Sequence, residues 1–167
     1  MLLGQEEINP DKADNRGRTP LSYAVENMDN HSFANRLECM VKILTFLERE
    51  EVNPEKQDNY GRTLLSHAAG DGNVDAVRIL LGREGANPDI LDNEGRTPLL
   101  YAAGNGYGEV VEVLLAWEEV NPDRPDNSGR TPLSYAAGKG WLEVVEMLLG
   151  REEVNPNKPD HEGRAPL

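Results

Sequence analysis

The 167-residue chain is poor in several residue types, and each shortage removes a class of chemistry. Cys39 is the single cysteine, so the chain can form neither an intrachain disulfide nor a zinc site built from several thiolates. Its three histidines lack the spacing of a metal-binding pair. No run of about 18 apolar residues is present, so we expect no membrane-spanning helix. The low cysteine content favours an intracellular, cytoplasmic location.

Basic residues are scarce relative to acidic ones. The chain has 17 lysines and arginines against 30 aspartates and glutamates, which gives a formal net charge of −13 at pH 7. Nucleic acids and anionic membranes repel such a surface, so we expect neither as a partner.

Sequence motifs of enzymes are missing too. The Gly-x-Gly segments at 70–72, 104–106 and 138–140 lack the spacing of a phosphate-binding loop, and we interpret them as turns between helices. The carboxylates in 123–129 miss the alternate spacing of a calcium loop. The sequence therefore predicts no catalytic residue, no cofactor and no metal site.

What the chain has is a repeated segment. "GRTPL", or a variant of it, stands at 17–21, 61–65, 95–99, 129–133 and 163–167. The first two copies are 44 residues apart, and the later ones follow at intervals of 34. A fixed period of this length indicates a tandem array of supersecondary units.

One copy, residues 126–159, shows how a unit folds. Asp126-Asn127-Ser128-Gly129 has turn chemistry, Thr131 can cap a helix and Pro132 suits its first position. A short helix is expected up to Gly140, then a more apolar helix up to Leu149, then a proline-rich hairpin. Helices of about two turns are marginal alone in water, so neighbouring copies must stack and bury a shared apolar layer.

Three segments resemble the ankyrin repeat: "GRTPLLYAAGNGYGEVVEVLL" (95–115), "GRTPLSYAAGKGWLEVVEMLL" (129–149) and 61–81, which has Leu64 in place of proline. The segments "EEVNPD" and "DNxGRTPL" make the array similar to fungal-type ankyrin-repeat proteins. Tetratricopeptide repeats share the 34-residue period but fill it with two longer helices, and the ladder of leucine-rich repeats is absent. The resemblance implies an all-α fold, an ankyrin-repeat α-solenoid of stacked helix pairs with β-hairpin or loop fingers.

The resemblance predicts a single ankyrin-repeat domain over 1–167. It comprises a partial repeat at 1–8, repeats at 19–52, 63–86, 97–120 and 131–154, and a partial repeat at 165–167. The repeat at 19–52 carries an insertion at 26–36, which we interpret as either a docking loop or a tolerated surface insertion. Because "MLLGQEEINP" (1–10) copies "MLLGREEVNP" (147–156), we expect the chain to be a segment of a longer array.

Two departures from the family pattern concern the framework. Serine or leucine follows the repeated leucine where the family usually has histidine, so the contact of that imidazole with the neighbouring hairpin is expected to be lost in part. His67 stands at the place of Tyr23, Tyr101 and Tyr135, and we expect it to be a packed structural residue. The arginine of each "GR" pair is expected to bind acidic groups of the adjoining finger.

The resemblance implies a non-catalytic protein–protein interaction module that binds through hairpin tips and the concave face of the inner helices. Positions that differ between copies are the candidates for recognition, with Tyr60 and the Ile90-Leu91 pair as the best anchors. The alternatives are a regulatory segment of a larger enzyme such as an NTPase, and a spacer that binds nothing. We expect a monomer, with end-to-end stacking as the alternative. The candidate partner-binding residues are Arg16, Lys56, Tyr60, Asp71, Ile90, Leu91, Glu94, Asn105, Arg124, Ser128 and Lys139.

Overall fold

A computed structural model describes residues 12–26, 40–41, 43–45, 47–48 and 52–167. These residues form successive units in which a short first helix is followed by a turn and a second helix. In the first unit, residues 40, 41, 43–45 and 47 are helical. The expected partial repeat at 1–8 and nearly all of the insertion at 26–36 lie outside the described residues. The complete helices are Pro20–Glu26 in the first unit, Leu64–Asp71 and Val74–Leu81 in the second, Pro98–Asn105 and Gly108–Leu115 in the third, and Pro132–Lys139 and Leu142–Leu149 in the fourth.

The first helices begin as the sequence predicts. The Thr131 side chain accepts a hydrogen bond from the backbone N–H of Ser134 at 3.2 Å, and Pro132 occupies the first helical turn. The Ser134 hydroxyl lies 3.1 Å from the Thr131 hydroxyl, so serine supports the cap of its own helix. Gly140 ends the helix with φ +75°, a left-handed conformation that favours glycine. The second and third units have equivalent caps at Thr63 and Gly72, and at Thr97 and Gly106.

Stacking of the units builds one continuous hydrophobic core. Ala69 and Ala103 are fully buried, and these small side chains let neighbouring first helices pack closely. Val77 and Leu114 add the buried face of the second helices. Burying a side chain the size of leucine contributes about 1.5–3 kcal/mol relative to leaving it exposed, so contacts between units stabilise helices that are too short to persist alone. The expected all-α stack of helix pairs is confirmed.

The fingers are loops rather than hairpins with a strand ladder. None of the described residues is in a β-strand. At each junction between described tips, one backbone hydrogen bond joins them, as from the N–H of Asn93 to the carbonyl oxygen of Tyr60 at 3.0 Å. The prolines at 54, 88, 122 and 156 have no N–H to donate, which limits extended pairing in these loops. The loop form of the expected fingers is therefore the one that the chain adopts.

Candidate partner-binding surface

Each described finger ends in a turn organised by one aspartate. The Oδ1 atom of Asp58 accepts hydrogen bonds from the backbone N–H groups of Tyr60 and Arg62, both at 2.9 Å. Gly61 closes the turn with φ +79°. The side chain between them, Tyr60, is 56% exposed. The same turn presents one of four exposed residue types in the five fingers: Arg16, Tyr60, Glu94, Ser128 and Glu162.

Direct contacts hold neighbouring tips in register. The Asn93 side-chain amide donates to the Asn59 carbonyl oxygen at 3.1 Å, beside the backbone bond from Asn93 to Tyr60. A Cβ atom at Gly61 would lie 2.7 Å from the backbone nitrogen of Asn93, so a larger residue would push the tips apart. The tips therefore form a row with fixed geometry and variable side chains.

A tyrosine from the first helix supports the turn in the first, third and fourth units. The Tyr101 hydroxyl donates to Asp92 Oδ2 at 2.6 Å, and the Arg96 guanidinium lies 4.8 Å from the centre of the Tyr101 ring. Burial and the hydrogen bond to Asp92 raise the pKa of Tyr101. Tyr135 makes the same bond to Asp126 at 2.8 Å. These tyrosines hold the fingers on the helices.

The expected pairing of the repeated arginines was wrong for four of the five, and one of these, Arg18, pairs with Glu26 of its own first helix. Arg62, Arg96 and Arg164 each bind the aspartate four residues earlier in their own finger, at 3.0, 2.8 and 2.8 Å. The turn brings the two ends of Asp-Asn-x-Gly-Arg together, so the intra-finger partner is nearer than any acidic group across the junction. Arg130 instead reaches Asp160 of the adjoining finger, with its Nε atom 3.7 Å from Oδ2.

Hydrogen bonds favour the charged form of two turn aspartates, Asp58 and Asp160. Burial opposes ionisation of Asp58, but the backbone N–H groups of Arg62 and Tyr60 and the Arg62 side chain outweigh it and lower its pKa. The backbone and side chain of Arg164 lower the pKa of Asp160 to about 2. These two turns are therefore built around carboxylates, not carboxylic acids.

His67 takes the place of the supporting tyrosine in the second unit. Its Nε2 atom lies 3.1 Å from Asp58 Oδ2, and its Nδ1 atom lies 3.4 Å from Glu26 Oε1 in the first unit. Burial, followed by the charge of Arg62, lowers the pKa of His67 although Asp58 and Glu26 act the other way. The imidazole is buried within a network of framework residues, as expected for a structural side chain.

The candidate residues fall into three places. Arg16, Tyr60, Glu94 and Ser128 lie at the tips and are exposed. Asp71, Asn105 and Lys139 are exposed at the far ends of the first helices, about 12 Å from the threonine caps for helices of eight residues. Asn105 also donates to the Gly70 carbonyl oxygen at 2.8 Å, so it contributes to stacking. The remaining four are half-buried at the bases of the fingers: Lys56, Ile90, Leu91 and Arg124.

A cavity beside Ile90 escaped the sequence analysis. It has a volume of about 220 Å³ and lies between the loop at 53–55 and the loop at 83–90. Leu65 and Leu80 contribute to its lining. The signal that could have revealed it is Ala86, which stands where the other copies have valine or, at position 8, isoleucine.

The tips carry both acidic and basic residues, and further acidic residues lie on the second helices. The helices Gly108–Leu115 and Leu142–Leu149 each carry two exposed glutamates and no basic residue. The tip row is mixed, with arginine, tyrosine, serine and glutamate side chains. The high net charge of the chain therefore does not demand a basic partner at the tips.

Two further features are absent from the described part of the chain. None of its helices has the length and apolar character that crossing a membrane requires. No group of three or more histidine, cysteine, aspartate or glutamate side chains within it is arranged to hold a metal ion.

Comparison with known proteins found matches to family models. A model of three ankyrin repeat copies matches residues 32–126. A model of a single ankyrin repeat matches residues 128–161. No curated protein matched the chain.

Proposed function

The chain belongs to the ankyrin repeat family, and we propose that it is a non-catalytic module that binds a protein partner through its row of finger tips and the adjoining face of its first helices. Ankyrin repeats are generally protein–protein interaction modules, and they are typically non-catalytic. The proposal adds to this general property a location and a set of residues.

The observation that carries the proposal is the contrast between a constant turn and a variable exposed residue. Asp58 and Gly61 have equivalents in every described finger, whereas the residue between them changes from tip to tip. The inter-tip bonds fix the positions of these variable side chains before a partner arrives. Binding then costs little backbone ordering, which is the general advantage of a preorganised surface.

Tyr60 is the strongest anchor in this row. It is a large aromatic side chain with more than half of its surface exposed, and aromatic residues dominate the energetics of interfaces. The Arg62 guanidinium lies 5.0 Å from the centre of its ring and restricts the directions in which the ring can point. If the chain instead regulates a larger enzyme, the same row would contact a domain of that enzyme.

Site-specific photo-crosslinking tests the location. A photo-reactive phenylalanine analogue is placed at Tyr60, at Glu94, or at Glu112 on the second helix of the third unit as a matched exposed control. In cells that express the protein, we expect the tip positions to trap the same protein and the Glu112 position to trap little of it. Equal yields from Glu112, or no partner from either tip position, would contradict the proposal.

The affinity for the identified partner tests the role of the side chain. We expect Tyr60→Ala to weaken binding tenfold or more, because central aromatic contacts often contribute above 1–2 kcal/mol. The melting temperature should stay unchanged, since the ring lies outside the core. An unchanged affinity would remove Tyr60 from the interface.

A further inference from the structure

The cavity beside Ile90 is unlike the rest of the loop edge because three changes coincide where the second unit meets the third. The first is at Ala86. Its counterparts Val52, Val120 and Val154 are buried, with 5%, 6% and 8% of their surface exposed, and they belong to the core. Ala86 lines the cavity and lacks the two methyl groups that valine would add.

The second change is at Gly85, which stands at the repeat position where the next two copies have Glu119 and Glu153. Gly85 has φ +76°, and a Cβ atom placed there would have no neighbour within 4 Å. None of the non-glycine residues in the described part of the chain has a positive φ. The backbone of the second unit therefore differs in conformation at this residue, which carries no side chain at this point of the wall.

The third change is at Ile90, where the other copies have Lys12, Lys56, Arg124 and Lys158. In the two following junctions this cation reaches back to an acid of the preceding loop. The Arg124 Nη1 atom lies 3.4 Å from Asp89 Oδ2, and the Lys158 Nζ atom lies 2.9 Å from Asp123 Oδ2. Ile90 can form no such bridge.

Glu55 is the acid that this exchange leaves without its bridge. It stands at the place of Asp89 and Asp123, lines the cavity and accepts a hydrogen bond from the backbone N–H of Asn87 at 3.0 Å. Within the described ranges, no cationic side chain lies at ion-pair distance from Glu55. The cavity thus has apolar walls from Leu65 and Ile90 and two acids, Glu55 and Glu84, in its lining. The lining also holds one cation, Arg83, whose guanidinium donates to the Leu47 carbonyl oxygen.

We propose that the cavity is an anchor site for a basic segment of the protein partner. One apolar side chain of that segment fills the space against Leu65, Leu80 and Ile90, and an adjacent lysine or arginine pairs with Glu55. An apolar cavity of about 150 Å³ holds benzene, so a volume of about 220 Å³ admits an aromatic ring. The partner's cation takes the place that Arg124 and Lys158 occupy in the neighbouring junctions. This inference rests on the proposed function and names the chemistry of the partner.

A capped dipeptide provides the probe. We would titrate acetyl-Phe-Lys-amide into the full chain and follow the methyl NMR signals of Leu65, Leu80 and Ile90. We expect these signals to shift with a dissociation constant of about 1 mM, which suits so small a ligand. The matched probe acetyl-Phe-Glu-amide should bind at least threefold more weakly because its carboxylate meets Glu55.

Two variants close the site in different ways. Ala86→Val restores the valine of the other units, and Ile90→Arg restores the cation that would pair with Glu55. Each should weaken binding of acetyl-Phe-Lys-amide tenfold or more while the melting temperature is kept or raised.

Glu55→Gln should leave the cavity open and abolish the preference for the lysine probe over the glutamate probe. Val120→Ala with Arg124→Ile, which copies two of the changes into the third unit, should create binding there.

The results separate this inference from the proposed function. Absence of methyl shifts at several millimolar probe, unchanged binding in Ala86→Val, or equal binding of the two probes would each overturn the anchor site. If the partner found by crosslinking at the tips binds Ala86→Val as tightly as the original chain, the anchor site fails and the tip surface stands. If the tips trap no partner but the lysine probe binds as expected, the proposed function fails and the cavity remains a binding site.

Discussion

Replacing His67 with tyrosine should destabilise the protein, although the next two units have tyrosine at that place. The reason lies across the junction. The rings of Tyr101 and Tyr135 pack over Gly70 and Gly104, with ring carbons 3.6 and 3.5 Å from where a Cβ atom would stand. In the first unit the residue that corresponds to Gly70 and Gly104 is Glu26, so a tyrosine at 67 would face a glutamate instead of a glycine.

The structure indicates how large the effect should be. A tyrosine ring at 67 would occupy the space into which the Glu26 side chain extends, and would displace it from its ion pair with Arg18. The tyrosine hydroxyl could still donate to Asp58, as Tyr101 does to Asp92, so that contact is retained. Inserting extra volume into a packed contact typically costs about 1–3 kcal/mol, and we expect a loss in this range.

A double-mutant cycle tests the explanation. His67→Tyr, Glu26→Gly and the double variant are unfolded in urea and followed by circular dichroism. Glu26→Gly alone loses the Arg18 contact and places glycine in a helix at a cost of about 1 kcal/mol. The double variant recreates the glycine–tyrosine pair of the later junctions. It should therefore be more stable than the sum of the single effects predicts, by about 1–2 kcal/mol.

Additivity within about 0.5 kcal/mol would refute the reasoning, because it would mean that the two positions do not share a contact. A matched cycle with Tyr135→Phe and Glu26→Gly serves as the control, since those side chains belong to distant units. If that control cycle showed equal coupling, the effect would belong to the whole array and not to the first junction.

Three further predictions concern pH, the tips and the binding surface. Burial lowers the pKa of His67 below its ordinary value of 6.5, so the folded state takes up this proton less readily than the unfolded chain. The free energy of unfolding should therefore fall as pH drops below about 6.5, and His67→Gln should flatten that part of a urea-midpoint profile. In urea unfolding, Gly61→Ala should lower the free energy of unfolding by more than about 1 kcal/mol, because a non-glycine residue is strained in the left-handed region and its Cβ atom would clash with Asn93. Gly138→Ala, in an open helical position, should be neutral or stabilising by about 0.5–1 kcal/mol. Calorimetry of Tyr60→Ala should show an unchanged melting temperature, and a marked drop would place the ring in the stack rather than at the surface.

Local signals in the sequence predicted the helices well. Thr131 and Pro132 begin a helix, and Gly140 ends it, because capping and left-handed backbone are properties of single residue types. The same holds for the tip turns, where Asp58 and Gly61 act within four residues. The period then implied that units stack, since no unit could bury its apolar face alone.

Pairings across space were harder to predict. Arg62 and Arg96 were expected to cross to the adjoining finger, yet they bind Asp58 and Asp92 of their own. The spacing of four residues was visible, but the sequence did not show that the turn would close the distance. The candidate residue Ile90 was recognised as unusual, whereas its relation to Ala86 and Glu55 was not.

The amino-acid sequence alone determined the repeat, the caps, the turns and the identity of the variable positions, because these depend on backbone preferences and periodic apolar residues within a few positions of each other. Only the tertiary structure decided which side chains meet between units: that Glu26 faces His67, that Arg124 reaches Asp89, and that Ala86 leaves a space beside Glu55. Such contacts join residues about one repeat apart, and they depend on how side chains of particular size fill a shared interface. A change of two methyl groups can close that interface or open it.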